Sequence, residues 1–375
     1  MALYTLRTLI LLFVVCVATL GLTPNVSAAI QGQLVLSSSP ADWESGGIWR
    51  PSVAYNGTSF MMWYTGSDPQ GTWEIGLATS NDGIAWTRYQ NNPVLRIGSE
   101  SNGDWDYGAV GYSWVLYVKG QYKMWYVGQI YSPVGDITSQ MVGYATSPDG
   151  INWTKYSGNP VLTPDPSEPW YEKYLGLPAV VWTGSSFLMY YVAANDTTSQ
   201  GIVAASLDGI HWTRKAVVHI PIAAWDSYTD YRFISSVTDL SGTFMMSYYG
   251  RSQSTSPSEI GIALSTDGLT WARYGGNPVI TYGSAAWDAR TLAYPTLIPF
   301  GDNYYVYYTG YPATGPSQIG LARLPGSQFP IPEYPSANTL LIAVTVLVSG
   351  LLWISKRRQS SRKIQRLESA TPSYL

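Results

Sequence analysis

The 375-residue sequence is poor in thiols, imidazoles and charge, with one cysteine and two histidines. The lone thiol, Cys16, lies in an N-terminal apolar run, so the rest of the chain can carry neither disulfide nor thiol chemistry. Two histidines, His211 and His219, cannot by themselves build a His-rich metal centre. Charged residues make up 12% of the chain and the net charge is −3, which excludes a strong field for nucleic acid. Scarce charge does not signal disorder here, because 46% hydrophobic residues supply ample apolar surface to bury. The chain also lacks a P-loop, a dinucleotide fingerprint and a zinc spacing. No cofactor and no metal ligand set are therefore expected. A structural calcium in a central channel stays open as an alternative, although no Asp-rich loop argues for it.

What the sequence has in plenty is aromatics and glycine: 16 Trp, 30 Tyr and 36 Gly. Many short strands joined by Gly-containing turns produce such a mixture. Both ends read differently from this body. Arg7, the apolar run 9–20 and Val26-Ser27-Ala28 have the layout of a secretory signal peptide over 1–29, an uncleaved anchor being the alternative. Near the other end, a Pro-rich stalk over 325–338 leads to an apolar stretch at 339–355, read as a transmembrane helix. The basic tail 356–375 follows, with Lys356, Arg357 and Arg358 at once, and holds that end in the cytoplasm. The expectation is a cell-surface protein with residues 30–324 outside the membrane.

The body repeats with a period of roughly 60 residues, the kind of period that decides an architecture. Four copies of Ser-x-Asp-Gly-x-x-Trp start at Ser80, Ser147, Ser206 and Ser265. Asp-Gly between strand-like runs is a hairpin signal, because the turn needs positive φ. Asn-Pro-Val follows three of them, at Asn92, Asn159 and Asn277. Ahead of the hairpins stand Gly-containing strands such as Glu74-Ile75-Gly76 and Glu259-Ile260-Gly261, and ahead of those an aromatic strand in five versions, from Met62-Trp63-Tyr64 to Val306-Tyr307-Tyr308. Each repeat thus holds four strands, and four-stranded sheets repeated radially make a β-propeller, here all-β and five-bladed. The fifth repeat ends one strand short, after Leu324, while Gln33-Leu34-Val35-Leu36 has no repeat of its own. That N-terminal strand is expected to complete the fifth sheet and close the ring, leaving no open edge.

The topology puts the Asp-Gly hairpins on one face and any ligand-binding funnel on the other. The repeated hairpin aspartates are therefore turn formers. A Trp-acid pair also recurs, at Glu44, Asp106, Asp226 and Asp288, and a residue needed in every blade reads as loop-fixing. Trp170-Tyr171 takes that place in the third repeat. Glu172 and Asp230 depart from the pattern and are the candidate catalytic carboxylates, with Glu172 as general acid and Asp230 as base or nucleophile. Arg50, Tyr107, Tyr174, Arg232, Arg290 and Tyr294 are the candidate substrate-binding residues. Tyrosine faces stack on the apolar side of a sugar ring, and arginines hydrogen-bond its hydroxyls or carboxylates.

Over about residues 34–324 the aromatic strand, the Ile-Gly-x-Ala strand, the hairpin and Asn-Pro-Val-Leu resemble the five-bladed propellers of glycoside hydrolase families 43, 32, 62, 68 and 130. The resemblance implies carbohydrate as the partner and action on furanosides, xylosides, fructans or mannosides through paired carboxylates. In family 43 the base is an Asp just ahead of the first-strand proline, where this chain has Trp49-Arg50-Pro51. The family's third-blade acid stands beside a Gly-Pro, where this chain has Gly176-Leu177-Pro178. The tail, with Ile331-Pro332-Glu333-Tyr334-Pro335, resembles the PEF-type C-terminal sorting signals of archaeal surface proteins. Two readings follow: a monomeric, membrane-anchored glycosidase, or a carbohydrate-binding or adhesion propeller that has lost its catalytic acids. A surface-layer spacer is a third.

Overall fold

A computed structural model of the chain describes residues 30–40, 42–131, 137–168, 172–228, 232–283 and 285–329. The chain divides into two compact units, Met1–Gln328 and Phe329–Leu375, and the architecture below is that of the first. The expected signal segment and the stalk, membrane span and basic tail from residue 330 onward lie outside the described residues. Among the described residues no helix is long and apolar enough to cross a membrane.

The described chain is all-β, with only short 3-10 turns between strands. The first repeat forms β2 (Gly47–Tyr55), β3 (Phe60–Ser67), β4 (Trp73–Ser80) and β5 (Thr87–Arg88), after the leading strand β1 (Gln33–Leu36). The second forms β6 (Ala109–Val118), β7 (Gln121–Tyr131), β8 (Ile137–Ser147) and β9 (Thr154–Lys155). The third is β10 (Tyr174–Trp182), β11 (Phe187–Ala194), β12 (Ser199–Ser206) and β13 (Thr213–Val217). The fourth is β14 (Arg232–Asp239), β15 (Phe244–Gly250), β16 (Glu259–Ser265) and β17 (Ala272–Arg273). The last is β18 (Thr291–Phe300), β19 (Asn303–Tyr311) and β20 (Gln318–Pro325).

Each repeat is an antiparallel meander, and β1 pairs with β20 to complete the last sheet in the order β1-β20-β19-β18, as the sequence led us to expect. Hydrogen bonding joins the second and third repeats into one eight-stranded sheet, through the single parallel pair Tyr174–Gln140. The cause is the eleven-residue length of β8, whose N-terminal end runs beyond the sheet core to reach the start of β10. The first strands touch in the cyclic order β2, β6, β10, β14, β18 and back to β2. They line an axis, as in a propeller-like ring.

The second strands are the centre of each sheet. All eight residues of β3 are buried, and the core is built mostly from these aromatic strands. They also link neighbours. Trp63 Nε1 donates to Gly150 O, Trp125 Nε1 to Gly209 O and Tyr190 Oη to Gly268 O, each at 2.8 Å and each reaching the next repeat's hairpin. Tyr307 Oη reaches Gly83 O of the first repeat, also at 2.8 Å, and so closes the cycle. The fourth repeat alone has a serine in this place. Its neighbour has no Asp-Gly hairpin to bind, and Ser247 Oγ donates to Pro295 O instead, at 3.1 Å.

The hairpins are built by local polar chemistry. Asp82 Oδ1 accepts from the Ile84 and Ala85 amides at 2.8 and 2.9 Å, while Ser80 Oγ accepts from Gly83 N at 2.9 Å. Gly83 has φ 73°, a conformation that favours glycine. The same bonds recur at Asp149, Asp208 and Asp267.

Candidate functional site

Two clefts mark the two faces. One of about 400 Å³ is lined by Tyr55, Asn56 and Thr58 of a first-to-second strand turn, by Tyr117 and Tyr122, and by Pro148 and Asp149 of a hairpin. The hairpins therefore share a face with the first-to-second strand turns. The other cleft, of about 530 Å³, is lined by Gln70, Gly71 and Thr72 from the β3–β4 loop, by Ile97, Tyr107 and Gly108 from the link into β6, and by Tyr131 at the end of β7. Of the sequence-predicted site residues, Tyr107 lines this second cleft.

Its floor is set by irregularities in the first strands. In β2, β6, β10 and β18 two residues oppose one on the partner strand, between Trp49 and Ser52, Gly111 and Trp114, Gly176 and Ala179, and Ala293 and Thr296. The first residue of each bulge has positive φ: Arg50 at 53°, Tyr112 at 50°, Leu177 at 54° and Tyr294 at 53°. Such bulges re-aim a side chain and are strained for non-glycine residues, a combination common at binding sites. In β14 the shift is one residue, at Ser235.

Arg50 is fully buried. Its Nη1 donates to Ser235 O at 2.6 Å and its Nη2 to Pro178 O at 2.9 Å, so one side chain ties the first repeat to the third and fourth. Its guanidinium lies 5.8 Å from the Trp114 ring centroid. Burial pushes its pKa down to about 10, with the neighbouring Tyr249, Tyr294 and Tyr112 opposing the shift, and it stays charged at neutral pH. The residue ahead of the first-strand proline Pro51 is thus a buried cation.

A string of aromatic rings surrounds it. Trp49 and Trp73 meet edge-on at 5.4 Å, Trp73 and Tyr112 at 5.3 Å, Tyr112 and Tyr294 at 5.6 Å, and Tyr294 and Tyr249 at 5.3 Å. Trp49, Trp73, Tyr112 and Tyr294 are half-buried residues. Burial holds the Tyr112 hydroxyl well above the usual phenol range, with Tyr294 adding to the shift. Tyr294 was expected in the funnel; Tyr112, Tyr249, Trp49 and Trp73 were not. A signal for Tyr112 existed, since it occupies the bulge position that Arg50 and Tyr294 occupy in their own repeats.

The expected set is not brought together. Tyr107 donates to Tyr131 O at 2.6 Å and lines the 530 Å³ cleft. Tyr174 stands at the edge of the third repeat, 3.4 Å from Asp196 Oδ1, with the Lys173 ammonium 5.0 Å from its ring. Arg290 is exposed, its guanidinium 5.5 Å from the Tyr311 ring. Arg232 begins β14, opposite Gly250. Asp230 lies outside the described residues.

Glu172 requires a correction, because it does not depart from the repeat. In every repeat a buried acid accepts from a tyrosine of the aromatic strand, at the same place in each. Tyr64 donates to Glu44 at 2.7 Å, Tyr126 to Asp106 at 3.0 Å, Tyr191 to Glu172 at 2.7 Å, Tyr248 to Asp226 at 3.2 Å and Tyr308 to Asp288 at 3.2 Å. In four repeats a cation of the fourth strand completes the set: Arg88 with Glu44, Lys155 with Asp106, Arg214 with Glu172 and Arg273 with Asp226. Glu172 is 2% exposed, and both its oxygens face the Arg214 guanidinium. A carboxylate so held is ill-suited to delivering a proton.

Sequence reading passed over two other acids on this face. Glu74, second in β4, and Glu259, first in β16, stand opposite Gly66 and Gly250, and burial raises the pKa of both. Arg96 offsets part of the shift at Glu74, from 3.3 Å. Their equivalent registers assign them to the repeat rather than to one catalytic pair. Among the described residues no group of three or more His, Cys, Asp or Glu side chains could hold a metal ion.

No family model matches the chain. Its curated relatives include two Mycobacterium tuberculosis proteins, "Uncharacterized protein MT1551" and "Uncharacterized protein Rv1502", each 25% identical over 306 residues, covering 78% of this chain and 97% of the relative. Among solved structures, one described as "Glycoside hydrolase" aligns with a TM-score of 0.62 at 18% identity, over 78% of this chain and 92% of that one. A thermostable family-43 glycoside hydrolase aligns at 0.58 and 16% identity, over 74% and 89%. The β-1,2-mannobiose phosphorylase from Listeria innocua aligns at 0.61 and 12% identity, over 78% and 95%. At these identities the likeness concerns the fold, and this chain has the fold of the glycoside hydrolase-like propellers.

Proposed function

We propose that this chain is a carbohydrate-binding five-bladed propeller, carried outside the cell and tethered by its C-terminal segment, that does not cleave glycosidic bonds by paired carboxylates. The five meanders are its blades, and the β1–β20 pair is the closure. The observation that carries the reading is the fate of the acids. Glu172 is locked between Tyr191 and Arg214, and the axial position holds the Arg50 guanidinium. Hydrolysis needs two carboxyls free to act on one bond. The half-buried residues Trp49, Trp73 and Tyr294 support sugar stacking, and the neighbouring cleft adds Tyr107, Gln70 and Thr72 for hydroxyls. Tyr174, Arg232 and Arg290 serve in this reading as rim contacts.

The hydrolytic alternative is favoured by the structural neighbours, several of which are glycoside hydrolases. It would have to run through Asp230 with a partner other than Glu172. The test is to incubate the full chain with furanoside, xyloside and mannoside polysaccharides, measuring both retention and released reducing sugar. Retention without release is the expected result. Release that disappears in Asp230→Asn would overturn the proposal in favour of an enzyme.

A further inference from the structure

Around Arg50 the axis carries a second feature, which does not depend on what the funnel binds. Arg50 has no exposed surface and makes no ion pair among the described residues. Two of its N–H groups are used by the Ser235 and Pro178 carbonyls, whereas its buried Nε has no partner. Two further buried polar atoms without a partner belong to the first-strand irregularities around it, the Ser113 and Ser235 hydroxyls. Ser235 is the residue whose carbonyl accepts from Arg50. Ser113 lies between Tyr112, which feels the Arg50 charge, and Trp114, whose ring faces the guanidinium.

A guanidinium nitrogen can only donate, and a hydroxyl can turn to donate. An unpaired buried charge costs several kcal/mol, and unmade buried hydrogen bonds add to that. Neutral carbonyls satisfy donors but leave the charge. A water molecule would do the same. An acidic sugar is too large to reach an atom with no exposed surface. The missing element is therefore small, accepting and negative.

We propose that the axis beside Arg50 is a binding site for a small monovalent anion of chloride size, held by Arg50 Nε–H and the Ser235 hydroxyl, with Ser113 nearby. Such an anion would bind the folded state alone, so stability should rise with the logarithm of its concentration. The test is the melting of the full chain at fixed ionic strength, with chloride or bromide replacing gluconate. A melting temperature that climbs with halide is expected, with the climb lost in Arg50→Gln and reduced several-fold in Ser235→Ala. If Arg50→Gln does not fold, Ser235→Ala and the position of bromide by anomalous scattering decide the matter. Identical melting in chloride and gluconate would sink the idea. So would a halide effect undiminished in Ser235→Ala, or bromide found only away from Arg50.

Discussion

Two sets of equivalent positions run round this molecule, and they behave in opposite ways. The acid that opens each repeat is Glu44, Asp106, Glu172, Asp226 or Asp288, always buried and always bound by a tyrosine of the next strand but one. The first-strand irregularity is Arg50, Tyr112, Leu177, Ser235 or Tyr294, four residue types at five equivalent positions. The first set does the same work five times, fixing the link between one meander and the next. The second set faces a single axis, where one shared space can use side chains that differ from repeat to repeat. In a radial repeat, sameness marks scaffold and divergence marks the place where a ligand can be recognised.

The strongest challenge to this contrast is to remove an acid. Glu172→Ala should cost about 3–5 kcal/mol, because it leaves Arg214 and Tyr191 facing a buried gap, and Asp226→Ala should cost about the same. Chemical denaturation measures both. A Glu172→Ala protein of undiminished stability that loses glycan binding would return Glu172 to the site.

The links between repeats sharpen the comparison further. Tyr190→Phe removes the 2.8 Å bond to Gly268 O, which Trp271 Nε1 does not replace. Tyr307→Phe removes a bond to Gly83 O, which still accepts from Trp86 Nε1 at 3.2 Å. The first change should cost about 1–3 kcal/mol and the second about 0.5–1.5 kcal/mol. Equal losses in denaturation would mean that the remaining indole bond contributes nothing.

On the aromatic string that packs against the divergent set, Trp73→Ala should weaken glycan binding about tenfold, or about 1.4 kcal/mol. Tyr117→Ala is the matched control. It removes a ring that is 58% exposed on the hairpin face and should leave binding unchanged in the same titration. A loss at Tyr117 equal to that at Trp73 would place the sugar on the wrong face for the proposal.

Strands, hairpins and the closing strand were legible because their signals are local: alternation, Asp-Gly turns, and one strand too few at one end and one too many at the other. The role of Glu172 was misread because the third repeat lacks an adjacent Trp-acid pair. Its position was nonetheless encoded at a distance, since Glu172 precedes its tyrosine by 19 residues where Glu44, Asp106 and Asp288 precede theirs by 20. The axial cluster was the least legible part. Tyr112, Tyr249 and Tyr294 come from three repeats, and only ring closure brings them to Arg50.

The smallest effect tests the repeated face through pH. Backbone amides of Thr270 and Leu269 and the Ser265 hydroxyl hold the Asp267 carboxyl down to about 2. Hydrogen bonds of the same kind, from Ala85 and Ile84, lower Asp82. An unfolded aspartate titrates near about 3.9. The folded state therefore binds fewer protons between those values, and the stability these turns contribute is complete above about pH 4 and fades as pH falls toward 2. Both carboxylates are exposed, so solvent screens the effect and it should be small. Asp267→Asn should flatten part of the acid limb of a stability-against-pH curve while leaving the neutral limb nearly unchanged. Asn can still accept the same amide bonds, and what it lacks is only the charge. An acid limb of unaltered steepness would show that the turn's stability owes nothing to ionisation, and that the hairpin face is held by packing alone.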